Sequence, residues 1–502
     1  MNFYRAFSLP LYKVIYINEN NMKLTKIVLD NFRCFKHYEM EVAPGVTILI
    51  GKNGAGKSSV IHSLHYALSF LFTNDKTMGS YFLSAGNPDL KVASISLADF
   101  YKDKLAVASD LNIHTEASFN GKNLVWDMYK RSTPGASLYP SKYISAYRDF
   151  MTEYQLSQEL PLLAYYSDSF PHQSTRISQF ASNTIKKQHI PRNFGYYQWD
   201  GETTCTSLWE TRYANTWATK ISMENPAMKD AGRLHEIEEG IVAGAIQNTT
   251  EIEQEIEKLG IRMEQRKKTY APLSDEVDFI ETKIKKFSVS SEDALKESYE
   301  IDTITCALAN EHWEVVFNLM NGKSILFSEL PAGYKRLFSI VLDIAYRSLF
   351  LNMGIPKEPS GIVIIDEIDL HLHPSLEQTV LERLQTTFPD IQFIISTHSP
   401  LVLTNLALEE GQNRIFKMIE REEKPIEIFD VYGLDYNSGL QDIMGVTARK
   451  ASIENLIDAY LFYSYQDMPE QATNVYEALK NEVHNMERLD KEIEMRRITM
   501  KE

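Results

Sequence analysis

The chain has 502 residues, of which 44% are apolar and 24% charged, and a formal net charge of −16. That length allows two or three domains with a sizeable core, and the acidic balance argues against a surface coated in nucleic acid, though not against a local basic groove. No apolar run reaches the roughly 18 residues of a membrane span, so no membrane partner is expected; the scattered Cys34, Cys205 and Cys306 form no CxxC pair and fit buried or neutral thiols in a reducing cytoplasm.

In chain order, residues 1–21 lack the basic head, apolar core and cleavage site of a signal peptide. Met22 opens MKLTKIVLDNFRCF like a natural start, so 1–21 is expected to be an N-terminal extension. Leu24–Leu29 and Val46–Ile50 read as strands, and Ser58–Phe72 shows helical spacing through Val60, Leu64, Leu68 and Phe72. Residues 91–118 include alternating runs such as Val92–Leu97 and are expected to form a further sheet region. Residues 119–160 are expected to be loops and helices, and Leu160–Tyr166 reads as a buried strand. Residues 170–225 are rich in Ser, Asn, Gln, Tyr and Trp and are expected to form a surface insertion.

Residues 233–288 are charged helix material with two apolar stripes, Ile252–Met263 and Leu273–Phe287. Pro272 between them is expected to end or turn the first helix. Either a short antiparallel hairpin or two amphipathic helices on the core would bury these stripes. Residues 313–328 read as strands, Tyr334–Leu349 and Leu376–Thr387 as helices, and 412–431 as a hairpin. Gly361–Asp366 and Gln392–Ser396 read as strands buried on both faces, as in a parallel sheet. From residue 450 the chain is helical and charged. Its apolar positions Leu456, Ile457, Tyr460, Leu461 and Tyr463 would either pack on the chain's own head or form a docking surface.

Four motifs carry chemistry. Gly51-Lys52-Asn53-Gly54-Ala55-Gly56-Lys57-Ser58, followed by Ser59, matches G-x-x-x-x-G-K-[ST] between a readable strand and a readable helix. Its amides would cradle phosphates at a helix N-terminus, with Lys57 on the β- and γ-phosphates and the Ser58 hydroxyl on Mg²⁺. The apolar run Ile362–Ile365 delivers Asp366 and Glu367 at a strand end. Asp366 would hold Mg²⁺ and Glu367 would act as general base. Ser396-Thr397-His398-Ser399-Pro400 ends the next strand, with His398 placed to contact a γ-phosphate. Leu330-Pro331-Ala332-Gly333-Tyr334-Lys335-Arg336 opens a helix with small residues that a phosphate could approach.

These motifs resemble the ABC-type ATPase head, and more narrowly its SMC, RecF and OLD branch, across roughly residues 22–170 and 300–430. The resemblance implies an α/β fold with a mixed or parallel sheet and flanking helices, a short helical-hairpin insertion and a helical C-terminal tail. It divides the chain at 22–170, 171–300, 301–431 and 432–502, the last a partner or oligomerisation region. It also implies ATP and Mg²⁺ as cofactors and a head-to-head homodimer or higher oligomer. There the fourth motif, with Ala332, Gly333 and Tyr334, completes the site of the opposite subunit. Arg33 matches the family's early arginine near the nucleotide, and Asp369–Pro374 the segment that meets the partner subunit. The family's usual Ser is replaced by Pro331, which removes a hydroxyl at the γ-phosphate. The Q-loop glutamine is not identified; the segment after Leu163–Tyr166 is its expected region.

The DLHLHP and STHSP phrases also resemble the PtuA-type ATPases of Septu and some retron-linked anti-phage systems. That kinship implies regulation of a separate HNH nuclease subunit. No DxD and no HNH-like cluster follows residue 401, so this chain is not expected to cut by itself. The alternative is a RecF- or SMC-like DNA repair ATPase that clamps DNA. DNA or retron nucleic acid as a ligand is left open, through Lys267, Lys268, Lys283, Lys285 and Lys286 or a solvated charged face.

Overall fold

The computed structural model describes residues 21–75, 77, 90–104, 106–167, 178–187, 189–199, 206–247, 249–289, 299–309, 312–406, 411–429, 431–434, 436–445, 449–483 and 486–499. The expected extension, Cys205 and most of the expected Q-loop region lie outside them. Two units result, 1–430 and 431–502.

Strands β1 (Lys23–Phe32), β2 (Phe35–Glu41) and β3 (Val46–Gly51) lead into helix α1 (Lys57–Leu68). The two-residue strands β4 (Lys102–Asp103) and β5 (Ala106–Val107) precede β6 (Asp110–Phe119) and β7 (Lys122–Arg131). Helix α2 (Ile144–Ser157), strand β8 (Leu162–Tyr166) and helix α3 (Gln179–Thr184) follow. Two long helices, α4 (Thr206–Val242) and α5 (Thr250–Ser288), come next, then β9 (Ile301–Ala309), β10 (His312–Leu319) and β11 (Ser324–Leu326). The unit closes with α6 (Ala332–Leu351), β12 (Gly361–Ile365), α7 (Pro374–Thr387), β13 (Ile391–Ser396), α8 (Pro400–Thr404), β14 (Asn413–Met418) and β15 (Ile426–Ile428).

The central sheet runs β15-β14-β3-β13-β12-β8, all parallel except the edge pair β14–β15. Buried on both faces, β8, β12 and β13 carry unbroken apolar stretches. A second, antiparallel sheet, β2-β1-β6-β7, alternates buried and partly exposed residues along β6. Helix α1 lies against both sheets. It buries Val60, Ile61, Leu64, Ala67 and Leu68, and the indole N–H of Trp126 on β7 donates to its Ala67 carbonyl at 3.0 Å. A third sheet, β11-β10-β9, packs beside the long helices.

Four expectations are corrected, the first being that residues 119–160, expected as loops and helices, also hold strand β7. Within residues 91–118 the expected sheet is met by β6, but Val92–Ser96 forms no strand and Leu97 opens a 3₁₀ helix. Ser69 Oγ accepts from the Ala93 N–H, Lys130 donates to the Ile95 carbonyl, and a Ser96–Asp99 capping box turns the segment into a short 3₁₀ helix. The surface insertion at 170–225 in fact contains most of α4. Pro272 ends nothing, since α5 is continuous through it, just as α4 is through Pro226. The hairpin is therefore α4 against α5, and both apolar stripes lie on α5, one on each side of Pro272. Cross-helix bonds hold the register from Arg212–Glu276 through Tyr270–Glu224 to Arg233–Glu255. They stabilise the helix through the lost hydrogen bond that proline imposes.

At the base of the hairpin, Arg212 makes a two-pronged ion pair with Glu276 at 2.8 and 2.6 Å. The same guanidinium donates to the carbonyls of Ile185 and Lys187, and Thr216 donates to Glu276. Both charges are buried, where an unpaired ion is costly.

In the second unit the three-residue helix α9 (Tyr436–Ser438) precedes α10 (Ala451–Tyr465), α11 (Pro469–Glu482) and α12 (Met486–Thr499). Ile457 and Leu461 close a core of their own with Leu479, Leu489 and Ile493, and Leu456 and Tyr460 pack against it. The tail's apolar stripe is therefore spent mainly inside this unit. Among the described residues no helix is long and apolar enough to cross a membrane.

Replacing Arg212 by Met strands the Glu276 carboxylate and is expected to destabilise the hairpin base by about 3–5 kcal/mol. The double change Arg212→Met with Glu276→Leu should recover more than half of that loss. Thermal midpoints of the three proteins check it; a double variant no better than the single one would contradict the account.

Candidate functional site

Three parallel neighbours, β3, β13 and β12, end at the same edge of the sheet. The loop after β3 holds the glycine-rich motif, that after β12 the acidic pair, and that after β13 the histidine. Ligands of open α/β sheets sit at this carboxyl edge.

The phosphate loop is built for close approach. Gly56 has φ +102, and a Cβ there would stand 2.3 Å from the Phe35 ring, so no side chain fits. Lys52, Asn53, Gly54 and Ser58 are exposed, Gly56 and Ser59 partly so, and Ala55 and Lys57 are buried. Lys57 folds back over the loop and donates to the carbonyls of Gly51 at 2.9 Å and Lys52 at 3.3 Å. Burial lowers the Lys57 pKa, opposed by the nearby charges of Asp366, Glu367 and Asp369. A partly desolvated ammonium beside an exposed glycine-rich loop at a helix N-terminus suits a polyphosphate. Among the described residues no group of three His, Cys, Asp or Glu side chains could hold a metal by itself.

At the acidic strand end the Asp366 N–H donates to the Tyr166 carbonyl at 2.8 Å, prolonging the β8–β12 pairing by one residue. The Asp366 side chain is buried and accepts from the Ser396 hydroxyl. Glu367 then leaves the strand in the left-handed region, with φ 51, a conformation that costs a non-glycine residue roughly 1–2 kcal/mol. Its N–H donates to Ser396 Oγ at 2.8 Å and its carbonyl accepts from Arg336 at 2.6 Å. The half-exposed carboxylate reaches the open edge, 4.0 Å from His398 Nε2.

His398 is held through its backbone. Asp369 Oδ1 accepts from the His398 N–H at 3.1 Å and from the Thr397 hydroxyl at 2.6 Å. The fourth motif opens α6 with Pro331 and Ala332 exposed and Gly333 buried. A Cβ on Gly333 would lie 2.6 Å from the His371 carbonyl, so only glycine lets the Asp369–Pro374 segment pass. Tyr334 lies against Tyr299, with ring centroids 4.1 Å apart and planes tilted by 37°.

The structure thus brings Lys57, Asp366, Glu367 and His398 to one edge. Arg33 is engaged elsewhere: Asp99 accepts from its Nε at 3.0 Å and lies 2.9 Å from its Nη2. Arg33 still lines, with Gly54 and Ala55, an open cavity of about 1000 Å³ beside the loop. Lys283 is corrected as a nucleic-acid contact. It is buried and donates to both Glu358 oxygens at 2.7 Å and to the Thr387 carbonyl. Sequence reasoning missed Ser396, Asp369 and Arg336 as shapers of the site. All three lie within quoted motifs, but their partners are 28–31 residues away in the chain and no spacing reveals them.

Residues 22–403 match the family described as AAA ATPase domain. Over 421 residues the chain is 27% identical to Retron Vc95 probable ATPase of Vibrio cholerae serotype O1 biovar El Tor, covering 78% of this chain and 74% of that protein. It is 31% identical over 174 residues to Septu protein PtuA of Bacillus mycoides (strain KBAB4), covering 35% of this chain but only 22% of that relative. Among solved structures, the Smc head domain with a coiled coil and joint derived from Pyrococcus yayanosii aligns over 84% of this chain and 99% of that one, at 11% identity and a TM-score of 0.41. The chain belongs to the AAA ATPase domain family and is an ATPase related to the retron ATPase and to the Septu protein PtuA.

Proposed function

We propose that ATP and Mg²⁺ are bound at this edge and that the site is completed across a head-to-head homodimer, or a larger oligomer built on it. We propose further that the cycle regulates a separate HNH nuclease in bacterial anti-phage defence. The observation that carries the reading is the convergence of Lys57, Asp366, Glu367 and His398 on three adjacent parallel strand ends.

In this reading Lys57 and the amides of residues 52–59 hold the phosphates. Mg²⁺ would be held by Ser58 and Asp366 and, when bound, neutralises phosphate charge. Glu367 accepts the proton of the attacking water, and the left-handed turn aims its carboxylate to the open edge for that task. His398, 4.0 Å away, reads the γ-phosphate. The exposed start of α6 at Pro331 and Ala332 presents a helix N-terminus, the end that favours anions, to the nucleotide of a second copy. Pro331 brings no hydroxyl, which favours slow turnover. The nuclease assignment draws its support from kinship with the retron ATPase and the Septu protein PtuA.

Lys57→Ala removes the buried ammonium and is expected to weaken ATP binding about 100-fold or more, as loss of charge-assisted bonds to phosphate implies. Equilibrium binding of a fluorescent ATP analogue measures it.

Glu367→Gln keeps the shape and removes the base. Turnover should fall by about 10²–10⁴-fold with binding retained, and the trapped species should accumulate as dimer in light scattering with ATP. Unchanged turnover would refute the role of Glu367. An HNH nuclease encoded beside this chain should co-elute with it on gel filtration; separate elution would remove the defence-regulator half of the reading.

A further inference from the structure

Arg336 is a buried cation, 1% exposed, one turn into α6. Its guanidinium donates to main-chain carbonyls at the acidic strand end: Glu367 at 2.6 Å, Asp366 at 3.0 Å and Leu370 at 3.3 Å, with the Ser167 carbonyl at 3.5 Å. Such a cation offers five donors in one rigid plane, and lysine cannot reproduce that fan.

The consequence falls on Glu367. Both of its main-chain groups are pinned, the N–H by Ser396 and the carbonyl by Arg336. Its backbone is in a region that a glutamate leaves unless held. Arg336 stands three residues after Gly333, and Gly333 packs against the His371 carbonyl of the segment that Arg336 also grips at Leu370. The start of α6 and the turn that aims Glu367 are thus one hydrogen-bonded piece.

We propose that Arg336 is a positioning residue that fixes the Glu367 turn to the α6 start, so that seating this helix start against a second copy's nucleotide aligns Glu367 in its own subunit's site. This rests on the proposed sharing of the site between two copies. Arg336 touches no reacting atom; it acts through the Glu367 backbone.

The test uses the full chain. Arg336→Lys should leave affinity for a fluorescent ATP analogue unchanged and lower kcat about 100-fold at constant KM, the scale of a misplaced catalytic group. Ser396→Ala, which releases the Glu367 N–H from the other side, is the second variant and should give the same split. A parallel loss of binding and turnover in both variants, or no loss in either, overturns the proposal.

Mixing then separates action within a subunit from action across the interface. Ala332→Glu places a repelling charge on the exposed helix start, and its mixture with Lys57→Ala should regain turnover, since one site of the mixed dimer combines intact halves. Arg336→Lys mixed with Lys57→Ala should regain none, because the subunit that keeps Lys57 has lost its own Glu367 alignment. Recovery in that second mixture would place the action of Arg336 across the interface and overturn the inference. Failure of the Ala332→Glu control would instead overturn the shared site, and the binding-against-turnover split of the unmixed variants would then judge Arg336 alone.

Discussion

Strand β13 sits between two parallel neighbours, and its register decides where every site residue stands. Its interior, Phe393-Ile394-Ile395, and the facing Ile362–Ile365 of β12 are uniformly apolar and buried. Such runs could slip by a residue with little loss of apolar contact. Two fully buried polar side chains at the ends forbid it. Gln392 accepts from the Leu24 N–H and donates to the carbonyls of Leu24 and Ala43. Ser396 donates to Asp366 and accepts from the Glu367 N–H. A slip would leave these groups buried and unsatisfied, at about 1–3 kcal/mol for each. Ser396 therefore stays opposite Leu49, and Ile395 opposite Ile365. The phosphate loop, acidic pair and histidine inherit that alignment.

The central strands and the motifs at their ends were legible because burial on both faces leaves one signature, an apolar run, and because the glycine-rich loop needs a strand before it and a helix after it. The hairpin was not. A proline between two apolar stripes reads locally as a break, yet Pro226 and Pro272 both lie inside helices. What outweighs the lost bonds is cross-helix pairing between residues 22 to 64 apart in sequence, such as Arg233 with Glu255 and Arg212 with Glu276. Periodicity cannot register such partners. For the same reason Lys283 read as a surface charge. Its helix is charged in composition, but its ammonium turns inward to Glu358 and the Thr387 carbonyl.

Within the site, residue type was readable and posture was not. That Asp366 and Glu367 follow an apolar strand is a fact of sequence. That Glu367 leaves it at φ 51 depends on a hydrogen bond donated to Ser396 and one accepted from Arg336, on two other elements. Arg33 shows the converse: the motif marks it beside the nucleotide, and the fold commits its guanidinium to Asp99.

Helix α6 carries three buried charges, Arg336, Asp343 and Arg347. Asp343 accepts from Arg347, from the Tyr166 hydroxyl at the end of β8 and from the Trp209 indole of α4. Arg347 also donates to the carbonyls of Gly195 and Tyr197. An apolar helix on an apolar sheet could shift along its axis and keep much of its contact. Here a slide of one turn, about 5.4 Å, would take all of these donors and acceptors out of reach together. The helix is thereby fixed lengthwise, with its exposed start at Pro331 and Ala332 in one place. Arg336 sits one turn along, so the same constraint that seats the helix also sets the Glu367 turn. A buried ion pair on this helix contributes less through its net energy, which desolvation largely offsets, than through the single position in which its bonds can all be made.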